Sequence, residues 1–509
     1  MVSSIKEMYK VGIKTNKSLF NKLKNRIMKK VLKFIGVVAG ALLLMGITAY
    51  FVWFHNSEEH ILKIKASEVY SPEKGNSYLI TNANIIDVEA GLVLENQNLI
   101  IENGVFKQIF EGQVPDSLKT SYKIVDAENR YLMPGMIDMH THLNSGGLVP
   151  PDESTRPMAL EQFARYGVST IFTLGGHGFN EEITSQLKEK QRKHKIVAPM
   201  ILATGSILTA PGGYPIPFVS GMTGLSEDEI DLYEQGIFTI TNKTDLDAMF
   251  SKKKRLGLNG VKVMVESGLG GASEEPRLSN KLTGKIVQKA SQYNLPVFAH
   301  VTRIADLQDA VNVGVDVIVH TVEDELLKGA EPFLEKMIRD SIAYTPTLSV
   351  AYILQYVSSA EILEDPFMMQ YSSERTNRSL ENWPVRQMMV RSYGIDPDSH
   401  KENIIKNFTA MYKAGVNILM GSDAGTPSTI PGYSAHKELG FMAEAGMSNA
   451  EVLRSATIAP AKFLKMENKI GSIKEGKIAN FLMLDKNPLD DVKNSRTIYK
   501  VMLEGYWIE

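Results

Sequence analysis

From residue 77 to 134 the chain alternates apolar and polar residues in short runs, "SYLITNANIIDV", "GLVLENQNLIIENGVFKQIF" and "KIVDAENRYLMPG", with Gly and Asn between them. A period of two broken by turn residues predicts β-strands. The C-terminal runs "IGSIKEGKIANFLMLDKNPL" and "IYKVMLEGYWIE" repeat the pattern. The two ends, 77–134 and 467–509, are therefore expected to form one composite β-sandwich beside a central domain of 135–466. In that domain strand-length apolar runs alternate with helical periodicity, as in "NKLTGKIVQKASQYN" and "NIIKNFTAMYKAG". Eight runs are strand candidates: 136–141, 168–174, 199–205, 260–266, 295–301, 315–321, 343–348 and 416–423. Eight parallel strands, each followed by a helix, make a (β/α)8 TIM-like barrel, so the expected class is α/β. The stretch 349–402, rich in Met, Tyr and charge, exceeds an ordinary crossover. It is expected to be a packed helical insertion, with a lid or membrane-facing flap as its functional reading.

The beginning of the chain follows another pattern. Residues 34–54 hold no charged side chain over 21 positions, enough for a membrane-spanning helix. Residues 1–33 carry ten Lys or Arg against one acid, Glu7. The positive-inside rule keeps this basic tail cytoplasmic and puts the rest on the periplasmic or extracellular side, held by a transmembrane signal anchor. A cleaved signal peptide starting at Met28 competes; the length of the apolar run and the absence of an Ala-x-Ala site favour the anchor. Leaving out the tail's ten bases and one acid takes the net charge from −2 to −11, which argues against a nucleic-acid partner. With no cysteine, neither disulfides nor a lipidated cysteine can contribute.

Chemistry enters at "YLMPGMIDMHTHL", residues 131–143. In a strand, Met136, Asp138, His140 and His142 point to one face. Barrel enzymes build their sites at the C-terminal ends of the strands. Those ends carry His140 and His142 (first strand), Lys262 (fourth), His300 (fifth), His320 (sixth) and Asp423 (eighth). Four of the chain's ten histidines on one rim are more than core packing needs, and with an Asp they make a metal-ligand set.

Together "PGMIDMHTHL", "GVKVMVE", "VFAHV", "VIVHT", "GSDAG" and "ATIAPAKFL" with the closing "IGSIKEGKIANFLMLDKNPL" resemble the amidohydrolase superfamily, in its imidazolonepropionase-like and prolidase-like branch, over residues 77–509. The resemblance implies two divalent metal ions, zinc being expected. His140, His142 and Asp423 would hold one, His300 and His320 the other, and a carboxylated Lys262 would bridge them. A buried lysine is disfavoured as a cation, and a carbamate makes it an anion. Its competing reading is an ion pair with Glu266. The implied chemistry is cleavage of an amide or peptide bond in a small molecule, of dipeptide or N-acyl amino acid type. A metal-bridged hydroxide would attack the carbonyl, with Asp423 as general base.

Substrate contacts are expected from His177 in "GGHG", Tyr214 in "APGGYP" and Arg303. Each also has a purely structural reading: a tight turn, a turn cluster, and a pair with Asp306. The chain departs from prolidase-like relatives in two places: "HVTRIAD" lacks their tyrosine after the fifth-strand histidine, and "KVMVESGLGG" has Glu266 where small residues are usual. Two alternatives stay open, a mononuclear deaminase or cyclic amidase with a structural Lys262, and a non-catalytic envelope binding protein. Nothing in the sequence bears on oligomeric state.

Overall fold

In a computed structural model describing residues 77–147, 155–176, 180–268, 274–323, 331–351, 361–382 and 397–508, the alternating segments fold as strands. β1 (Tyr78–Asp87), β2 (Leu92–Glu102) and β3 (Val105–Glu111) form an antiparallel meander. The β2–β3 turn is Asn103-Gly104, both at positive φ (51° and 77°), as the twist of a two-residue hairpin requires. β1 has two further partners, both parallel: β4 (Lys123–Asp126) along Tyr78–Thr81 and β5 (Tyr131–Pro134) at Asn84–Ile85. Register shifts between Ile80 and Ala83 and between Ala83 and Ile85 bend the strand from one partner to the other.

The central strands are parallel. β6 (Met136–Thr141), β7 (Val168–Thr173) and β8 (Met200–Ala203) form one sheet. β9 (Ile207–Thr209), β10 (Ile237–Thr239), β11 (Val261–Met264), β12 (Val297–His300), β13 (Val317–Val319) and β14 (Ala343–Thr345) form another, in the order β10-β9-β11-β12-β13-β14. Every residue of β6, β7 and β11–β14 is buried, which is why these strands are mostly apolar and lack the regular polar alternation of a half-exposed sheet.

The first seven strand candidates match strands within their expected bounds, but 416–423 is not a regular strand. Its amides go to different partners: Leu419 N to Tyr344 O (2.9 Å), Met420 N to Ser455 O (2.9 Å) and Asp423 N to His140 O (2.8 Å). It still touches both sheets, through parallel bridges Tyr344–Ile418 and Thr141–Ala424. β9 and β10 were not expected, because Gly205 at φ 69° breaks the run after β8 and the chain resumes beside β11.

β15 (Phe481–Leu484), β16 (Ile498–Leu503) and β17 (Tyr506–Ile508) join the first sheet through β15 on β5. The result is one eight-stranded sheet from both ends of this part of the chain, and not the two-layer sandwich expected. The physical reason is curling: β3, at one edge, bonds back to the segment entering β15, with Phe106 N to Lys477 O at 2.9 Å and Ala479 N to Gly104 O at 2.8 Å. The sheet thus encloses its own core of Ile80, Leu99, Phe106, Phe481 and Met502.

The described parts of the long insertion are helical, including Pro366–Met369, Glu374–Glu381 and the start of Pro397–Ala414. Tyr166 Oη donates to the carbonyls of Phe367 (2.9 Å) and Met368 (2.8 Å), and Arg496 pairs with Asp365. The described residues belong to one compact unit, Ser67–Glu509. The basic tail 1–33 and the apolar run 34–54 lie outside the described residues, among which no helix is long and apolar enough to cross a membrane.

Phe298, fully buried, has its ring 4.6 Å from that of Phe172 and 6.3 Å from that of Phe463. Phe298→Ala is expected to lower stability by about 3–5 kcal/mol, seen as a lower urea midpoint at unchanged slope. An unchanged midpoint would mean that the site repacks.

Candidate metal centre

The pleat of β6 puts His140 and His142 on one side, and 416–423 carries Asp423 to them. Asp423 Oδ1 lies 3.0 Å from His142 Nε2 and 3.4 Å from His140 Nε2. All three are buried, and one ligand atom from each falls within a 4.8 Å group. Close backbone approach makes this possible. A Cβ on Gly421 would stand 2.3 Å from Thr345 Cγ2 and 2.9 Å from His140 Cβ; one on Gly425 would stand 2.3 Å from the His142 carbonyl oxygen. Asp138, on the same face of β6, accepts from Ser422 Oγ (2.6 Å), Ser422 N (3.1 Å) and His140 N (3.2 Å). Burial pushes its carboxyl up to about 7.

Adjacent strands bring the remaining candidates. The His320 ring lies 4.8 Å from that of His140 and 4.3 Å from that of His300, and His320 Nδ1 is 4.0 Å from Asp423 Oδ2. His320 and Asp423 both take positive φ, 73° and 53°, a conformation that costs non-glycine residues about 1–3 kcal/mol and gathers at functional sites. Lys262 is 2% exposed, and its Nζ has no hydrogen-bond partner among the described residues. Burial lowers this amine to about 7, with Asp423 opposing the shift.

The ion pair of Lys262 with Glu266 is therefore not formed. Glu266 Oε2 instead accepts from Thr302 N (2.8 Å) and Thr302 Oγ1 (2.9 Å) and lies 3.7 Å from His300 Nε2. Burial raises the Glu266 carboxyl to about 8 and holds His140, His300 and His320 well below the ordinary histidine range.

Of the expected substrate contacts, Tyr214 is brought to the centre, its ring 5.1 Å from that of His300. Arg303 does not pair with Asp306. Its Nη1 lies 3.1 Å from Ser267 Oγ and 3.2 Å from Glu274, while Asp306 accepts from Ser267 and faces Arg277. His177 lies outside the described residues. Two residues escaped the sequence reading. Thr347 Oγ1 lies 2.8 Å from His320 Nδ1. Glu438, fully buried, accepts from Leu348 N, Ser349 N and Ser349 Oγ, each at 2.7 Å, and so grips the segment carrying Thr347. Glu438 directly follows His436 and Lys437 in helix Tyr433–Glu444, so nothing local in the sequence singled it out.

These groups fit a divalent cation. Four buried polar atoms of the predicted ligands, His140 Nδ1, Lys262 Nζ, His300 Nε2 and Asp423 Oδ1, have no hydrogen-bond partner among the described residues. Unpartnered buried polar atoms are costly, and imidazoles held neutral are the form that coordinates metal. His142 Nδ1 donates to the Gly175 carbonyl, which leaves Nε2 with its lone pair toward Asp423.

Comparison with known proteins places this geometry. The pattern of the family described as "Amidohydrolase family" matches residues 131–508. Ochratoxinase from Aspergillus niger is 24% identical over 444 residues, covering 81% of this chain and 83% of the relative. Imidazolonepropionase from Psychromonas ingrahamii is 33% identical over 122 residues, 23% of this chain and 30% of the relative. A crystal structure of a Xaa-Pro dipeptidase with bound methionine in the active site shares the fold, with TM-score 0.64 and 22% identity over 85% of this chain and 99% of that one.

Burial raises the Glu438 carboxyl to about 8. A carboxyl raised on folding contributes stability that is complete below its unfolded value near 4.5 and is lost as pH rises through about 8. In chelator, stability is expected to decline across that window, and Glu438→Gln is expected to flatten the decline. Thermal midpoints measured from pH 4.5 to 8.5 check this, and an unaltered slope counts against it.

Proposed function

The chain belongs to the amidohydrolase family and is a hydrolase acting on carbon–nitrogen bonds, and from that premise we propose that it is a metal-dependent enzyme cleaving an amide or peptide bond in a small molecule of dipeptide or N-acyl amino acid type. The observation that carries the reading is the convergence of His140 and His142 on Asp423 Oδ1, at 3.4 and 3.0 Å, in a buried cluster. The two parallel sheets joined through 416–423 are read as one (β/α)8 barrel, with this cluster at the C-terminal ends of its strands.

In this reading His140, His142 and Asp423 hold one divalent ion and His300 and His320 a second, zinc being the expected metal. Lys262 would supply them an anionic ligand as a carbamate, which a neutral amine near pH 7 forms by attacking CO2 and releasing a proton. Bound there, the ions supply Lewis-acid polarisation of the scissile carbonyl and lower the pKa of an attacking water. Asp423 takes the proton from that water and delivers it to the leaving nitrogen. Asp138 and Gly421 keep Asp423 in register with β6, and Thr347 orients His320. Tyr214 offers an aromatic wall beside His300, and His177 and Arg303 are kept as candidate substrate contacts. The name of the Xaa-Pro dipeptidase neighbour supports testing Xaa-Pro dipeptides first, and that of ochratoxinase supports testing N-acyl amino acids. The uncharged run 34–54 supports a membrane-anchored enzyme with its catalytic part outside the cytoplasm.

A one-ion deaminase or cyclic amidase of the same superfamily is favoured by one fact: the compact three-residue cluster does not include His300 or His320. Metal content separates the two readings. We expect two ions per chain, with hydrolysis restored to chelated enzyme by zinc plus bicarbonate; one ion and no response to bicarbonate would favour the alternative. Asp423→Asn is expected to lower kcat by about 10²–10⁴-fold at an unchanged thermal midpoint in chelator. Near-normal turnover in that variant would refute the assigned role.

A further inference from the structure

We infer that Glu266 is a ligand of the metal ion held by His300 and His320, an inference that rests on the metal-dependent reading above. Glu266 follows β11 two residues after Met264, so the pleat directs it to the same side as Lys262. Its backbone neighbourhood stays in register with β12: Met264 pairs with His300, and Val265 N donates to the His300 carbonyl at 3.2 Å. The side chain is therefore delivered to His300 by the sheet itself.

Three observations point to a cation. Glu266 is 1% exposed; Oε2 is held by Thr302 N and Oγ1, the Gly268 amide also faces the carboxyl, and Oε1 makes no hydrogen bond of ordinary geometry among the described residues. A carboxyl buried in this way is ionised only where a positive partner offsets its desolvation, and is otherwise protonated. Among the described residues no ion pair to Glu266 from a lysine or arginine is formed: Lys262 Nζ makes no hydrogen bond to it, and the contacts of the Arg303 guanidinium include Ser267 and Glu274. Glu266 Oε2 stands 3.7 Å from His300 Nε2, itself without a hydrogen-bond partner among the described residues. Two atoms bound to one zinc at about 2.0–2.2 Å can be at most about 4.2 Å apart, so the carboxylate is within reach of an ion on His300, and with Oε2 already accepting twice from Thr302 the oxygen available to that ion is Oε1.

The consequence is chemical. Two neutral imidazoles give the second ion no negative charge of their own, and a carbamate on Lys262 is shared between both ions. Glu266 would add an anionic ligand belonging to the second ion alone.

The test is metal affinity. Wild-type and Glu266→Gln full-length protein are loaded with zinc, titrated with a competing chelator, and analysed for zinc per chain. Glu266→Gln keeps the Thr302 contacts sterically possible. It is expected to retain the ion of His140, His142 and Asp423 and to lose affinity for the second by at least about tenfold. Its thermal midpoint in chelator should be no lower than that of wild type, whereas a purely structural Glu266 would lower the midpoint and leave both affinities unchanged. Two ions held with wild-type affinity by Glu266→Gln overturn the inference while leaving the hydrolase reading intact. A wild-type chain that binds no divalent ion overturns both. Should Glu266→Gln not fold, Thr302→Val, which loosens the carboxylate without removing it, is expected to weaken the second ion about threefold or more, and unchanged affinity there overturns the inference equally.

Discussion

Asp138 holds together the two segments on which the centre depends. Its buried carboxyl receives both donors of Ser422 and the amide of His140, so 416–423 is fastened to β6 at one register. That register sets Asp423 opposite His140 and His142. The clearance that permits it is provided by Gly421 and Gly425, where any side chain would collide with β14 or β6. Because 416–423 divides its amides among Tyr344, Ser455, Asp138 and His140, it cannot form a regular ladder. The irregularity and the positive φ of Asp423 have one origin, a segment shaped by what it must present.

Around this joint, burial determines protonation. His140, His300 and His320 are held neutral and Lys262 is brought near neutrality by the same desolvation, so the centre gathers lone pairs in place of charges. In this set His140 Nδ1, His300 Nε2 and Lys262 Nζ have no hydrogen-bond partner among the described residues, the condition a divalent cation relieves. The acids obey the same rule with opposite sign, Glu266 and Asp138 being raised. A cation among these groups would favour the ionised form of the acids while leaving the imidazoles neutral.

The periphery sustains the centre from a distance. Glu438 grips the amides after Thr347, which contacts His320, and the same helix contributes Tyr433, which donates to Asp365 at the foot of the helical insertion. Arg496, between β15 and β16, pairs with the same Asp365. The insertion is therefore fixed both to the helix behind the strand ends and to the strands of the curled sheet.

Much of this could be read in the order of residues. The apolar runs marked seven central strands, because a strand buried on both faces leaves a mostly apolar signature without regular alternation, and the histidines, Lys262 and Asp423 were recognisable since polar groups at the ends of such runs have few structural uses. The partnership of the two chain ends in one sheet was legible from their shared alternation. Whether that sheet was layered or curled was not, since the bonds from Phe106 and Gly104 to 477–479 join segments about 370 residues apart and leave no periodic trace. Arg303 and Lys262 show the same limit: sequence neighbours suggested Asp306 and Glu266 as partners, and the fold gave those acids to Ser267, Arg277 and Thr302. Residue type and periodicity are local properties and declare which groups are available for chemistry. Which buried groups find partners, and which are left to hold an ion, depends on contacts between distant strands that only the folded chain makes.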